Sequence, residues 1–231
     1  KKAEKSVGFK SYLRGFMHSY QSNFLDFVIN HKILKFGEFK LKSGRVSPYF
    51  FNAGLFNSGK KLNFLAESYA SAIVESNLSF DVLFGPAYKG IPLVSATAIV
   101  LSREYDLEKP YVFNRKEEKQ HGEKGLLVGS NLEGSVLVID DVITAGTAIR
   151  EVVEIIRSTN ARISGVAVAL DRQERGLGEL SAIQEIEEML SISVISIVSL
   201  EDIISYLELS EDRELKSSLE GVKRYQNLYG V

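Results

Sequence analysis

The 231-residue sequence contains no cysteine, so a disulfide framework and a thiolate metal site are excluded. It has no apolar run approaching the roughly 18–20 residues needed to cross a bilayer, and nothing that reads as a signal peptide. An excess of charge is missing as well. The 28 Lys and Arg against 30 Asp and Glu leave a formal net charge of −2, which gives no reason to expect nucleic acid or a membrane surface as partner. Neither glycine fingerprint for nucleotide phosphates, G-x-x-x-x-G-K-[ST] or G-x-G-x-x-G, occurs. No internal repeat and no Pro/Gly/Ser-rich linker divides the chain. A hydrophobic fraction of 45% then points to one cytoplasmic globular domain with a substantial core.

What is present is organised around Ser135 to Arg150, SVLVIDDVITAGTAIR. Val136 to Ile139 is a continuous apolar run, the pattern of a strand buried on both faces of a parallel sheet. Asp140 and Asp141 follow at once, then Thr144, Ala145, Gly146 and Thr147 before a helical pattern begins. Small and hydroxylated residues at a strand-to-helix turn leave backbone N–H groups uncovered. With the positive end of the helix dipole, those donors suit a phosphate. Carboxylates repel phosphate, but they accept hydrogen bonds from sugar hydroxyls and approach magnesium. A ribose 5-phosphate satisfies both halves, its phosphate on the TAGT turn and its 2- and 3-hydroxyls on Asp140 and Asp141. From these residues alone, a buried strand ending in a solvated acidic turn is an equal alternative. A Walker B strand would need the glycine loop that is absent.

Along the rest of the chain, Lys1 to Phe16 is cation-rich without a clean period and is expected to be a disordered extension. Asn23 to Leu34 has helical spacing, and LKFGEFKLKSGRVSPYFFNAG alternates and breaks at Gly37, Gly44 and Pro48, which predicts short strands. The adjacent aromatics Phe50 and Phe51 predict one ring in the core and one outside. His31 is expected to cap or pair near a helix end. Gly59 to Asn77 and Ile91 to Tyr105 read as helices, Asp81 to Phe84 and Tyr111 to Phe113 as strands. In GPAYKGIP, Gly85 and Gly90 permit close backbone approach and Lys89 adds a cation at a strand's carboxyl end, an arrangement suited to pyrophosphate. A plain Gly-Pro turn is the alternative. Asn114 to Gly125, NRKEEKQHGEKG, has almost no apolar residue and reads as a solvated, mobile loop. Its Arg115, Lys116, Lys119 and His121 lie beside glycine hinges at Gly122 and Gly125, as in a loop that folds over a charged leaving group.

Thr147 to Ser158 reads as a helix and Ile163 to Leu170 as a buried strand. Asp171, Arg172, Gln173, Glu174 and Arg175 crowd its carboxyl end, where open α/β sheets bind ligands; a salt-bridged surface turn is the alternative. Ser181 to Gln184 has capping-box spacing for a helix to Leu190, and Ser193 to Val198 reads as a strand. Glu201 to Leu209 and Glu214 to Tyr225 read as packing helices without chemistry. Strands alternating with helices through 60–200 predict a parallel, doubly wound sheet with its site along one edge.

Val138 to Ala148, VIDDVITAGTA, resembles the phosphoribosyl pyrophosphate (PRPP) signature of type I phosphoribosyltransferases. LKSGRVSPYFFNAGLFNSG at 41–59, FGPAYKGIP at 84–92, FNRKEEKQHGE at 113–123 and LDRQERG at 170–176 narrow the resemblance to the orotate phosphoribosyltransferases. It runs from about Phe24 to the C-terminus, and five motifs in the right order make it far more specific than any one of them. The resemblance implies an α/β type I phosphoribosyltransferase fold: a doubly wound, mostly parallel sheet with helices on both faces. A small N-terminal hood, mainly from 17–58, belongs to a single domain over 17–231. The implied reaction is transfer of phosphoribosyl from PRPP to orotate, giving orotidine 5-phosphate and pyrophosphate on the route to UMP. Mg²⁺ is implied as the cofactor, arriving mainly on PRPP with few direct protein ligands.

By the same resemblance, PRPP contacts fall to Lys42, Tyr88, Lys89, Arg115, Lys116, Lys119, His121, Asp140, Asp141 and the run Val142, Ile143, Thr144, Ala145, Gly146, Thr147 and Ala148. Catalysis falls to Lys119, His121, Lys116, Lys89, Lys42, Asp140 and Asp141, and orotate contacts to Lys42, Phe50, Phe51, Thr144 and Arg172. The Arg172 guanidinium suits the orotate carboxylate. A cis peptide between Ala87 and Tyr88 is implied, and so is a homodimer whose 114–125 loop serves the neighbouring subunit's site. That loop departs from the commonest form, K-D-H-G-E-G-G: Gln120 replaces Asp and Lys124 replaces Gly, giving a stiffer, more cationic loop. Two other readings fit the scaffold, a different base specificity and a non-enzymatic PRPP-binding regulator. The cationic 115–121 stretch argues against the regulator, because a sensor has no leaving group to neutralise.

Overall fold

The side chains of Val136, Leu137, Val138 and Ile139 are wholly shielded from solvent, as a strand covered on both faces requires. This strand lies inside a computed structural model that describes residues 17–119, 125–143, 147–176 and 178–231, with Glu118, Lys119, Thr147 and Ala148 described as backbone alone. The expected extension over 1–16 lies outside the described residues. The helices are α1 Ser19–Asn30, α2 Gly59–Glu75, α3 Gly90–Tyr105, α4 Thr147–Arg157, α5 Ala182–Leu190, α6 Leu200–Leu209, α7 Arg213–Ser217 and α8 Leu219–Tyr229. The strands are β1 Leu34–Lys40, β2 Val46–Phe51, β3 Val82–Gly85, β4 Tyr111–Lys119, β5 Gly125–Gly129, β6 Glu133–Ile139, β7 Asn160–Asp171 and β8 Ser193–Ser199. Among the described residues no helix is long and apolar enough to cross a membrane.

The chain divides into two compact units. The sheet unit comprises Asn57–Asp171 and Ala182–Ile197. The hairpin unit comprises the described residues up to Phe56 together with Arg172–Ser181 and Val198–Val231. The hood expected mainly from 17–58 therefore shares its unit with the C-terminal helices.

In the sheet unit the strand order is β5-β4-β3-β6-β7-β8. The pairs β3/β4, β3/β6 and β6/β7 are parallel and β4/β5 is antiparallel, so the sheet is mostly parallel. Alternation along the strands decides what each face buries. Val82, Phe84, Val136, Val138, Val166 and Val168 form one core with Ile149, Val152, Val153 and Ile156 of α4 and Ile183 and Ile186 of α5. Leu83 and Leu137 point the other way, toward the face where α2 and α3 pack. This is the expected α/β, doubly wound arrangement.

In the hairpin unit β1 and β2 pair antiparallel. Helix α1 buries Phe24, Leu25 and Val28. It is tied to α6 by hydrogen bonds from Gln21 Nε2 to Asp202 Oδ2 (3.1 Å) and from Tyr206 Oη to Asp26 Oδ1 (2.6 Å). Ser199 and Asp202 form a reciprocal capping box at the start of α6, which satisfies the N–H groups of both residues.

Several element boundaries differ from expectation, three of them in ways that bear on the site and its surroundings. Helix α1 stops at Asn30 rather than Leu34, because His31 caps it and Lys32 turns into the left-handed region (φ 56°). His31 is at the expected helix end, its Nδ1 3.0 Å from the Phe27 carbonyl. The C-terminal helical stretch is broken at Ser218, which ends α7 and starts α8. The largest correction concerns Asn114 to Lys119 and Gly125, expected as parts of a loop whose residues 120–124 lie outside the described residues. Strand β4 continues to Lys119 and pairs with β5, with Asn114 opposite Leu127 and Lys119 opposite Gly125. A hairpin at a sheet edge needs little apolar patterning, so its polar composition hid it.

Gly129 ends β5 opposite Val112 with φ +110°, and a Cβ there would lie 2.4 Å from the Tyr111 carbonyl oxygen. Gly129→Ala is expected to destabilise the protein by about 1–3 kcal/mol in urea unfolding. Gly59→Ala, where a Cβ meets nothing within 4 Å at the start of α2, is expected to be neutral or slightly stabilising in the same measurement.

Candidate active site

Strand β6 delivers its two aspartates into a nearly closed environment, each only 8% exposed. The sheet ladder runs on through them: Asp140 N donates to the Ala167 carbonyl (3.0 Å) and Ala169 N to the Asp141 carbonyl (2.9 Å). The Asp140 carbonyl also accepts from the hydroxyl of Tyr69 on α2 (2.7 Å). Tyr69 is fully buried, and burial together with the two nearby aspartates raises its pKa, keeping it a donor.

The two carboxylates have different partners. Asp141 pairs with Lys89 Nζ, and its Oδ1 accepts from Val142 N (2.9 Å). Asp140 Oδ1 accepts from Asp141 N (2.9 Å). Burial pushes the Asp140 carboxyl up to about 6; the Asp141 N–H and Lys89 oppose the shift, while the Asp141 charge adds to it. Beyond the pair, Val142 is half-buried and Ile143 joins the core beneath α4. Thr144, Ala145 and Gly146 lie outside the described residues, as do the side chains of Thr147 and Ala148.

Lys89 is placed by the turn that precedes α3. Gly90 N donates to the Pro86 carbonyl (2.9 Å), and the backbones at Gly85 and Gly90 touch. A Cβ on Gly85 would lie 2.3 Å from the Gly90 carbonyl oxygen, so the turn closes only with glycine there. The Ala87–Tyr88 peptide is cis, as the resemblance implies, and the Tyr88 side chain is 72% exposed. The turn has a clamp that sequence reasoning missed. Asn114 is buried in β4, its Oδ1 accepting from Ala87 N (2.8 Å) and its Nδ2 donating to the Arg115 carbonyl (3.1 Å). Asn114 stood at the start of a polar run, so nothing in the pattern marked it as buried.

The loop cations divide. Arg115 Nη1 donates to the Gly125 carbonyl (3.1 Å), across its own hairpin. Lys116 Nζ pairs with Glu151 of α4 (3.2 Å). The Lys119 side chain and all of Gln120, His121, Gly122 and Lys124 lie outside the described residues.

The hairpin unit holds a second cluster. The Arg172 guanidinium lies 4.4 Å from the centroid of the Tyr49 ring. Its Nη2 is 2.6 Å from Glu174 Oε1 and donates to Ser47 Oγ (3.1 Å). Burial alone would lower the Arg172 pKa, but Tyr49 and Glu174 reverse this and raise it, so the cation is secure. Phe50 is 39% exposed and stacks on Phe39 (5.5 Å), whereas Phe51 is 9% exposed among Phe24 and Phe56. One ring in and one out is the expected division. Lys42 is exposed in the β1–β2 turn.

These clusters have the residue types of an enzyme that holds a sugar phosphate in one place and an anionic ring in another. The class is that of the family model matching residues 56–199, the phosphoribosyl transferase domain. The chain is 57% identical to the orotate phosphoribosyltransferase of Shigella flexneri over 215 residues, 93% of this chain and 100% of that protein. It is 59% identical to that of Pseudomonas savastanoi pv. phaseolicola, with the same coverage. The crystal structure of orotate phosphoribosyltransferase from Francisella tularensis matches with a TM-score of 0.82 at 44% identity, covering 90% of this chain and 99% of that one. The chain belongs to the orotate phosphoribosyltransferase family.

Asp140 has a consequence for stability. Its folded-state pKa of about 6 lies above the ordinary 3.8, so between those values the folded chain keeps a proton that the unfolded chain has lost. Stability therefore falls as pH rises through that window, and the cost persists above it. Asp140→Asn removes the buried charge at nearly constant shape, and in the ligand-free protein at pH 7.5 it is expected to gain on the order of 2–3 kcal/mol, a Tm higher by several degrees. At pH 4 the two melting curves should nearly coincide in calorimetry.

Proposed function

We propose that this orotate phosphoribosyltransferase moves the phosphoribosyl group of PRPP to N1 of orotate, releasing pyrophosphate and giving orotidine 5-phosphate for pyrimidine biosynthesis. The observation that carries the division of labour is the Asp140–Asp141 pair at the carboxyl end of a doubly covered strand, with Lys89 on one of its members. The pair would hold the ribose hydroxyls and stabilise the positive charge that builds on the sugar as its bond to pyrophosphate breaks. Backbone donors of Val142 through Ala148 would receive the 5-phosphate. Tyr88, Lys89, Lys42, Arg115, Lys116, Lys119 and His121 would neutralise the departing pyrophosphate. Arg172 would take the orotate carboxylate, with Phe50, Phe51 and Thr144 beside the ring. The orotate nitrogen is already anionic, so no strong base is required and catalysis rests on positioning and charge.

Among the described residues no group of three His, Asp or Glu could hold a metal ion. With Asp141 committed to Lys89, the donor set fits an ion held chiefly by PRPP's own oxygens. Bound there, Mg²⁺ would neutralise part of the pyrophosphate charge. A homodimer in which residues 114–125 reach the neighbouring subunit's site completes the proposal, in a cytoplasmic enzyme.

Offered PRPP with orotate, uracil, adenine or hypoxanthine, the enzyme is expected to turn over orotate; turnover of a purine and not orotate would reject the assignment. Lys119→Ala is expected to lower kcat by about 100-fold, or about 3 kcal/mol in the barrier, with PRPP affinity little changed. Equal single-turnover rates for the two proteins would remove Lys119 from the chemistry. Mixing Lys119→Ala with Asp140→Asn subunits should restore part of the activity if the loop acts across the dimer, and none if it acts within its own subunit.

A further inference from the structure

Arg172 is enclosed before any ligand arrives. Its side chain is 15% exposed, and its Nη2 faces two acceptors, Glu174 Oε1 and Ser47 Oγ. Ser47 spends its own hydrogen on the Tyr49 carbonyl (2.7 Å), so its oxygen is left as an acceptor for the guanidinium. Tyr49 stacks beneath the cation, its hydroxyl reaches Glu174 Oε1 (3.4 Å), and the ring of Tyr225 meets it edge-on at 6.2 Å. Nη2 is thus held between two acceptors, and the Tyr225 hydroxyl lies beside both Arg172 and Glu174.

Glu174 is itself held from several directions. Its Oε2 is 3.8 Å from Arg45 Nη1. Arg45 in turn donates to the Arg175 carbonyl (2.9 Å) and lies 4.7 Å from the Tyr229 ring centroid. The backbone around Glu174 is fastened to the end of α8: Glu174 bridges Gly230, Arg175 N donates to the Tyr229 carbonyl (2.8 Å), and Val231 N donates to the Gln173 carbonyl (3.1 Å). With two arginines on one carboxylate, Glu174 anchors Arg172 without cancelling the positive charge of the cluster.

We propose that Glu174, seconded by Ser47, is a positioning residue for base recognition: it ties down Nη2 of Arg172 so that the rest of the guanidinium fork is presented to the carboxylate of the incoming pyrimidine. This rests on Arg172 being the residue that takes that carboxylate. A long arginine side chain has many rotamers, and fixing it in advance removes an ordering cost from binding. The effect belongs in the affinity for the base and in the preference for a base that carries a carboxylate. The chemical step and the affinity for PRPP are not involved.

Steady-state kinetics with orotate and with uracil, on wild type, Glu174→Ala, Glu174→Gln, Ser47→Ala and Arg172→Gln, test it. Glu174→Ala is expected to raise the orotate KM by about 10-fold or more, with kcat and the PRPP KM within about 3-fold, and to reduce the preference for orotate over uracil by a similar factor. Glu174→Gln keeps an acceptor for Nη2 and should recover most of the orotate affinity; Ser47→Ala should give a smaller rise of about 3-fold. KM does not depend on the folded fraction, so destabilised variants remain readable. If Arg172→Gln raises the orotate KM while Glu174→Ala leaves it unchanged or lowers it, Glu174 is no positioning residue. If Arg172→Gln itself leaves the orotate KM unchanged, Arg172 does not hold the carboxylate and the proposal goes with it.

Discussion

Two adjacent carboxylates at the end of a strand shielded on both faces are the constraint around which the sheet unit is arranged. Charge placed there has lost most of its water, and the cost must be met by specific neighbours. Asp141 meets it with Lys89 and a backbone N–H. Asp140 accepts one backbone N–H and feels Lys89 only through its charge, and burial raises its affinity for protons. A folded domain gains nothing from this arrangement. In the proposed reaction, a ligand offering hydroxyl donors and a developing positive charge would supply what the protein withholds.

Everything next to the pair serves its position. Gly85 and Gly90 let two backbone segments touch, which sets the start of α3 and with it Lys89. Asn114 holds the same turn from β4, the strand that continues into the cationic 115–119 stretch. Tyr69 fastens the Asp140 carbonyl from α2. In the hairpin unit the polarity is reversed: a nearly buried cation, Arg172, is met by Glu174, Ser47 and the face of Tyr49. In each cluster the charge is held by an ion pair and hydrogen bonds.

Much of this was legible in the residues. The unbroken apolar run of Val136 to Ile139, followed by DD, marked a central parallel strand ending in an acidic pair, and alternation separated Phe50 from Phe51. The cations of the 114–125 stretch stood out by charge alone. Other features left no local trace. The β4–β5 hairpin was read as a loop because an edge hairpin needs no apolar stripe. Asn114 looked like the first residue of that loop. The end of α8 looked inert, yet it fastens the backbone on either side of Glu174.

The division follows from the range of the forces involved. Burial of a continuous apolar run, the freedom of glycine at Gly85 and Gly90, and the donors of a strand-to-helix turn act over a few neighbouring residues, so chain order alone declares them. Which carboxylate takes Lys89, that Asn114 reaches Ala87, and that Glu174 is shared by Arg172 and Arg45 depend on groups far apart in the chain. Their energies exist only once packing has removed the water between them, and that decision belongs to the tertiary structure.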